Sequence, residues 1–442
     1  MKSLKLLLLF VCVASFSRAQ TQQLSLKQAI DFALTNQLNV KNALVEEKIS
    51  KQKVNEITGL GTPQISGSAE INHFIEIPTT FVPGEFFGGE PGSFSPVQFG
   101  QPYTASVGVT ATQLIFDGSY LVGLQASRAY QDLSRKQTHQ TKIETAVAVS
   151  KAYYNVLVVK EQLGLVVKNV ERLKKLRDDT KAVYEAGFAE KLDFDRVDLA
   201  YNNILVQQKN VTRLIELSNS LLKFQMGMDQ KTELQLTDQL NESLWNNLNL
   251  PETADATKRS EYSVLKAAHR LQELDLKRYK SAYLPSLAAF GSVSANASRN
   301  DFNIFNTSYK WFPTAIVGAR LSVPIWDGLQ KNSKIQQSKL ELEKVNNQVN
   351  NLEQAVSLEF SSSKTKLQNN LEMLETSKRN REIATEIVRA SKLKFDNGVG
   401  SSLEVIDAES LLKEAETNYF SALYETIVAK IEVDKALGNI SF

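Results

Sequence analysis

The 442-residue sequence has one cysteine, Cys12, and three histidines, His73, His139 and His269. Cys12 lies in an apolar run near the N-terminus, so the rest of the chain offers no thiol for a disulfide, a zinc site or a nucleophile. The histidines are scattered without ligand spacing, and no metal centre is expected. No P-loop, GxSxG elbow or dinucleotide-type glycine triplet occurs, which leaves no catalytic constellation and no cofactor site. Beyond the first twenty residues no segment approaches 18 uninterrupted apolar residues, which excludes a membrane-spanning helix; any spanning must use strands. Charge of one sign is lacking too. Subtracting Lys2, Lys5 and Arg18 from the 51 basic residues leaves 48 against 49 acidic ones, a net −1 that gives no electrostatic reason to bind nucleic acid.

What is present begins with an export signal. Met1 to Lys5 is charged, Leu6 to Phe16 is apolar, and Ser17-Arg-Ala19 precedes Gln20 as a small-residue cut point, so residues 1–19 read as a secretory signal peptide. Cys12 lacks the small residues that precede a lipidated cysteine, and no lipid anchor is expected.

The remainder is written twice. Tyr184-Glu-Ala-Gly187, Asp193 and Gly227 reappear as Phe395-Asp-Asn-Gly398, Glu404 and Gly438 at a constant offset of 211. Leu114-Ile-Phe-Asp-Gly118 returns as Pro324-Ile-Trp-Asp-Gly328, and Gly61-Thr-Pro-Gln-Ile65 as Tyr283-Leu-Pro-Ser-Leu287, at offsets of 210 and 222. A repeat of this length is a duplicated domain. The expected division is a first repeat over 20–227 (hairpin 62–116, long helix 119–186, return helix 190–227), a polar linker over 228–258, a second repeat over 259–438 (hairpin 284–326, long helix 329–397, return helix 401–438), and a tail at 439–442.

Each long helix has apolar or small residues at coiled-coil spacing, as in Ala126, Ala129, Leu133 and Ile143 or Leu342, Val345, Val349 and Leu352. At 1.5 Å per residue each would reach roughly 100 Å. Gly187 and Gly398 supply the left-handed cap at which the chain turns back. Because the return helices are half as long, the amphipathic segments Leu24–Ile57 and Glu261–Tyr283 are expected to cover the other half.

Between these helices the pattern changes to period two. Ile65, Gly67, Ala69, Ile71, Ile75 and Ile77 alternate with polar residues, as do Ala105, Val107, Val109 and Ala111, then Leu287 to Ala297, then Ala315 to Val323. Four strands of about twelve residues are long enough to cross a bilayer when tilted. A soluble antiparallel sheet with one covered face would show the same alternation, but export, strand length and the absence of a spare covering helix favour the membrane. Open edges are not tolerated in hydrocarbon, so several copies must share one closed barrel.

The doubled order helix, hairpin, long helix, glycine turn, return helix, with Leu26-Lys-Gln-Ala-Ile-Asp-Phe-Ala-Leu34, Tyr283-Leu-Pro-Ser286 and Gly398-Val-Gly-Ser-Ser-Leu-Glu-Val-Ile-Asp-Ala-Glu409, resembles the TolC family of outer membrane efflux proteins. The resemblance covers essentially the whole chain after the signal. It implies a mainly α fold with β: a duplicated unit of long coiled-coil helices plus four strands per protomer. As a homotrimer this would form a 12-stranded outer membrane β-barrel continuous with a periplasmic α-helical barrel. The number three comes from the family alone. The implied function is a passive duct in the outer membrane of a Gram-negative bacterium, serving a tripartite efflux pump or type I secretion system. An inner-membrane transporter would drive it, through a periplasmic adaptor docked near Gly187, Gly398 and Gly400.

Family channels carry an acidic pair at the periplasmic constriction, and Glu404 and Asp407 match it, with Asp193 as a further gate-region acid and Arg196 one turn on. Gly400 departs from the pattern, because some relatives have a basic residue there that helps lock the closed state. A plainer reading stands beside this one: Ser401 with Glu404 forms a capping box, and acids in a first turn are favoured by the helix dipole. Arg320, on the polar side of its strand, is either a lumen residue or an interfacial arginine. The Gly/Pro-rich stretch between Ile77 and Tyr103, with Phe81, Phe86, Phe87, Phe94 and Phe99, reads as an extracellular loop with interfacial aromatics or as a plug. An exported coiled-coil tether or adhesin without channel activity is the alternative from another class.

Overall fold

A computed structural model describes residues 22–241, 250–306 and 308–440. The signal peptide expected over 1–19 lies outside these residues, as do part of the linker and the last two residues of the tail. In chain order the elements are β1 (Gln22–Leu24), α1 (Leu26–Asn36), α2 (Leu38–Gly59), β2 (Gln64–His73), β3 (Thr79–Pro83), β4 (Phe94–Gln98), β5 (Tyr103–Phe116), α3 (Gly118–Glu185), α4 (Lys191–Met226), β6 (Leu234–Leu236), α5 (Ser260–Ser281), β7 (Ser286–Arg299), β8 (Phe312–Ser322), α6 (Gln330–Asp396) and α7 (Ser402–Ala436). The described residues fall into two compact units, those of 47–134 with 266–347, and those of 22–46 with 135–265 and 348–440. α2, α3, α5 and α6 contribute residues to both.

The first unit holds a four-stranded antiparallel sheet in the order β2-β5-β7-β8. Its register aligns the period-two pattern across all four strands. Ile71 faces Ala105, which faces Ala297, while Glu70 faces Ser106, which faces Asn296. One side is therefore largely apolar and the other mostly polar, with Phe290, Ile316 and Phe312 as apolar exceptions on the polar side. The apolar side is bare: Ile65 is 72% exposed and Val317 90%. The outward edges of β2 and β8 have no ladder partner among the described residues.

Two strand and helix ends differ from expectation. β2 stops at His73, short of Ile75 and Ile77. Phe74 N–H still donates to Pro102 O at 2.7 Å, but Pro102 has no N–H to return, and the ladder ends there. The helix expected over Leu24–Ile57 is two helices with Leu24 outside both. Gln37 is extended (φ −63°, ψ 132°), and its side-chain oxygen accepts Val40 N–H at 3.1 Å, which starts α2 afresh.

In the second unit α7 packs between α3 and α6. Val147 and Val158 of α3 and Leu374 of α6 meet Phe420, Leu423 and Ile427 of α7. Nearer its start, Val405 joins Leu173 and Leu176 of α3 and Val197 of α4, while Ala408 and Leu412 meet Ala384 and Val388 of α6. Burial of such side chains contributes about 1.5–3 kcal/mol each. The linker is tied in as well. β6 pairs in parallel with β1, and Asp238 just after it accepts Leu26 N–H at 2.7 Å and the Tyr153 hydroxyl at 2.9 Å. Tyr153 is fully buried, and burial, then Asp238, holds its phenol above the ordinary pKa.

Tyr153→Phe should remove a buried donor and cost about 1–3 kcal/mol, since Asp238 loses one of its two donors and keeps only Leu26 N–H. Thermal unfolding followed by circular dichroism checks this; an unchanged midpoint would show that the tie adds nothing.

Candidate functional site

α7 is capped by Ser401, whose Oγ accepts Glu404 N–H at 3.2 Å. The reciprocal bond that would complete a capping box is absent among the described residues. The Glu404 carboxylate is thus not consumed by the cap. Glu404 and Asp407 are both exposed, three residues apart on one helix face, while Val405 and Ala408 face the core. Neither acid has a side-chain partner among the described residues, and like charges at this spacing repel.

Asp193, which the duplication pairs with Glu404, has a different environment. It is half-buried, and Oδ1 accepts the hydroxyl of Ser402 at 2.6 Å, joining the first turns of α4 and α7. Arg196, one turn on, lines a 230 Å³ cavity with Asn169, Leu403, Ile406 and Glu409. It makes no ion pair among the described residues. The fold therefore brings Asp193, Arg196 and the start of α7 together, and leaves Glu404 and Asp407 on the open face.

The turns before the two return helices share their glycine conformation and the bond that follows it. Gly187 and Gly398 have φ of +82° and +74°. Phe188 N–H donates to Val183 O and Val399 N–H to Lys394 O, both at 3.0 Å. Phe188 and Val399 stand 86% and 77% exposed at the tips. Gly400 has its own steric reason: a Cβ there would lie 2.8 Å from that of Lys394 and 3.1 Å from Phe395 N. The turn that draws Gly400 N–H onto Lys394 O at 3.1 Å leaves no room for a side chain. A basic residue in this place would require a different turn.

Sequence reasoning missed the buried polar tie behind these acids. Arg172 of α3 grips Glu409 of α7 with both prongs, Nε to Oε1 at 2.6 Å and Nη2 to Oε2 at 2.7 Å. Its Nη2 also donates to Asn169 Oδ1 at 3.0 Å, and Asn169 Nδ2 donates to Glu416 Oε2 at 2.7 Å. Burial holds the Glu416 carboxyl above its usual pKa, against the pull of Asn169 and Arg172. An (i, i+7) acid pair on an otherwise apolar helix face is the only signal that could have pointed to it.

In the sheet unit, Arg320 lies opposite Ala288 on the polar side, its guanidinium 5.6 Å from the Phe290 ring. At the far end of the apolar side His73 stacks on Tyr103 at 4.3 Å, and Tyr103 meets Phe302 edge-on at 5.6 Å. Aromatic rings at the margin of a bare apolar band form the girdle of a membrane barrel. No described residues form a group that could hold a metal ion, and no described helix is long and apolar enough to cross a membrane.

A bare-sided sheet with aromatic margins and long helical hairpins with glycine tips define the class of outer membrane ducts. The model of the outer membrane efflux protein family matches residues 94–226 and 255–439, and the chain belongs to that family. Outer membrane protein TolC of Vibrio cholerae serotype O1 is 21% identical over 339 residues, 76% of this chain and 77% of that protein. Among solved structures, CusC superimposes with a TM-score of 0.74 at 15% identity, over 93% of this chain and 92% of that one. The CmeC outer membrane channel of Campylobacter jejuni gives 0.72 at 15% identity, covering 93% and 85%. The open-state MtrE outer membrane channel of Neisseria gonorrhoeae gives 0.67 at 16%, covering 93% and 88%. The protein is an outer membrane efflux channel, and the tether reading is not favoured.

Removing Arg172 would leave Glu409 buried and unpaired. Arg172→Leu should cost about 3 kcal/mol, read as a lowered unfolding midpoint that Glu409→Leu in the same chain largely restores. Glu416 carries a pH signature. A carboxyl whose folded pKa is raised binds an extra proton in the native state, so its contribution is full below the unfolded value near 4.3 and is lost as pH rises through the folded value. Glu416→Gln should flatten the fall of stability across that window in melts run as a pH series.

Proposed function

We propose that three copies join the β8 edge of one sheet to the β2 edge of the next, forming a 12-stranded barrel that opens into a helical tunnel. The observation that carries this reading is the four-stranded sheet whose apolar side is bare and whose outer edges are unpaired. A single copy could not leave those edges in hydrocarbon, whereas a closed barrel has none. Arg320 would then face the lumen.

Each trimer would present six carboxylates from Glu404 and Asp407 around one mouth, a ring that draws cations and holds back anions. Asp193 with Ser402, and Arg172 with Glu409, hold the start of α7 onto α4 and α3 within a subunit. Opening requires the return helices to move outward, so these ties set how hard the mouth is to open. Lacking a basic residue at Gly400, the closed state rests on the buried Arg172–Glu409 pair. The exposed Phe188 and Val399 tips are small apolar footholds for a periplasmic adaptor, through which an inner-membrane transporter supplies the energy.

In planar bilayers the full-length protein should form cation-selective pores. Glu404→Ala with Asp407→Ala should lower cation selectivity and relieve block by multivalent cations by about tenfold or more, the loss of several charge contacts at one mouth. Unchanged selectivity and block would remove the acidic ring from the mechanism. Protein that stays monomeric in mild detergent and passes no current would overturn the duct itself.

A further inference from the structure

The segment 74–102 joins β2 to β5 at the end of the sheet away from the helices. It folds on itself: β3 and β4 pair with Phe81 opposite Pro96 and Pro83 opposite Phe94. Between them the turn Gly84–Phe87 is closed by Gly84 N–H to Ser93 O at 2.7 Å and Gly89 N–H to Gly84 O at 2.9 Å. The two sides of this small hairpin differ. Val82, Ser95 and Val97 are half-buried, whereas Phe81, Pro83, Phe94 and Pro96 on the other side are exposed. Phe86, 81% exposed, and Phe87 extend the open patch around the turn. It is a formed surface, and an exposed apolar patch on a folded element marks a contact site.

Charge selects what it contacts. Across 74–102 there are three glutamates, Glu76, Glu85 and Glu90, and no lysine or arginine. Aromatic faces carry the negative end of a quadrupole and attract cations, most of all organic ones that shed water readily. Glu85, next to Phe86 in the chain, and Glu90, three residues after Phe87, add full charges of the same sign on the same turn, the Glu85 carboxylate also accepting Gly92 N–H at 3.3 Å. An anionic lipid surface is repelled by this combination, and so is a second copy of the hairpin. We propose that the hairpin is a binding site for bulky organic cations, gripped by Phe86 and Phe87 and neutralised by Glu85 and Glu90. The proposal rests on the efflux-channel reading and names the charge class met at the outer mouth.

The test uses the full-length protein in planar bilayers with two probes of equal size and opposite charge, tetraphenylphosphonium and tetraphenylborate. The cation, added on the hairpin side, should reduce conductance at about a tenfold lower concentration than the anion. Phe86→Ala with Phe87→Ala, and separately Glu85→Gln with Glu90→Gln, should each weaken that block about tenfold, leaving conductance without probe unchanged. Equal block by both ions, or block indifferent to both double substitutions, would overturn the site. So would ready disulfide bonding between subunits through Phe86→Cys, because other copies would then cover the patch. Channels that conduct but show no hairpin-side block defeat this inference alone; absence of all conductance defeats the efflux reading and this inference with it.

Discussion

A strand at the edge of a sheet presents a row of unpaired N–H and C=O groups, and hydrocarbon offers them nothing to bond. The rest of this protein depends on that constraint. β2 and β8 are such edges, and the side of the sheet carrying Ile65, Val109, Val293 and Val317 is apolar and uncovered. Water would penalise that side, and a bilayer would penalise the edges. Closure with identical copies meets both demands, and a closed ring of sheets has an inside. The polar side, with Ser66, Thr110, Ser292 and Thr314, is suited to line it.

The helical unit solves a different problem, holding a long helix in place while leaving Glu404 and Asp407 of its first turns exposed. α7 is seated by small and branched side chains along α3 and α6, which fix its face but tolerate sliding. The bidentate Arg172–Glu409 pair and the Asn169–Glu416 bond do not tolerate it, because charge-assisted bonds at 2.6–2.7 Å require one register. Acids are thus divided by surroundings. Glu409 and Glu416 are buried and partnered, whereas Glu404 and Asp407 point away from the core without partners among the described residues.

Much of the fold was legible because it rests on local rules. Glycines that must take positive φ mark the tips, coiled-coil spacing marks the long helices, and strict alternation marks β2, β5, β7 and β8. The breaks were less legible. Nothing apolar separates α1 from α2; the interruption depends on the Gln37 side chain turning to cap the next helix. The parallel β1–β6 pair is three residues on each side, too short for any periodicity. The β3–β4 hairpin hides in a loop rich in glycine and proline. Of the candidate site, Asp193 and Glu404 were visible as repeat mates, but their different surroundings were not, since duplication preserves position and leaves contacts free to diverge.

The amino-acid order by itself determined the duplication, the glycine turns and the two-sided strands, because each depends on residues close together in the chain. Tertiary structure alone decided that Arg172 meets Glu409, that the Ser402 hydroxyl meets Asp193, and that the sheet runs β2-β5-β7-β8 with its edges open. Those facts join residues up to 237 positions apart, and only packing sets which distant groups come within bonding distance.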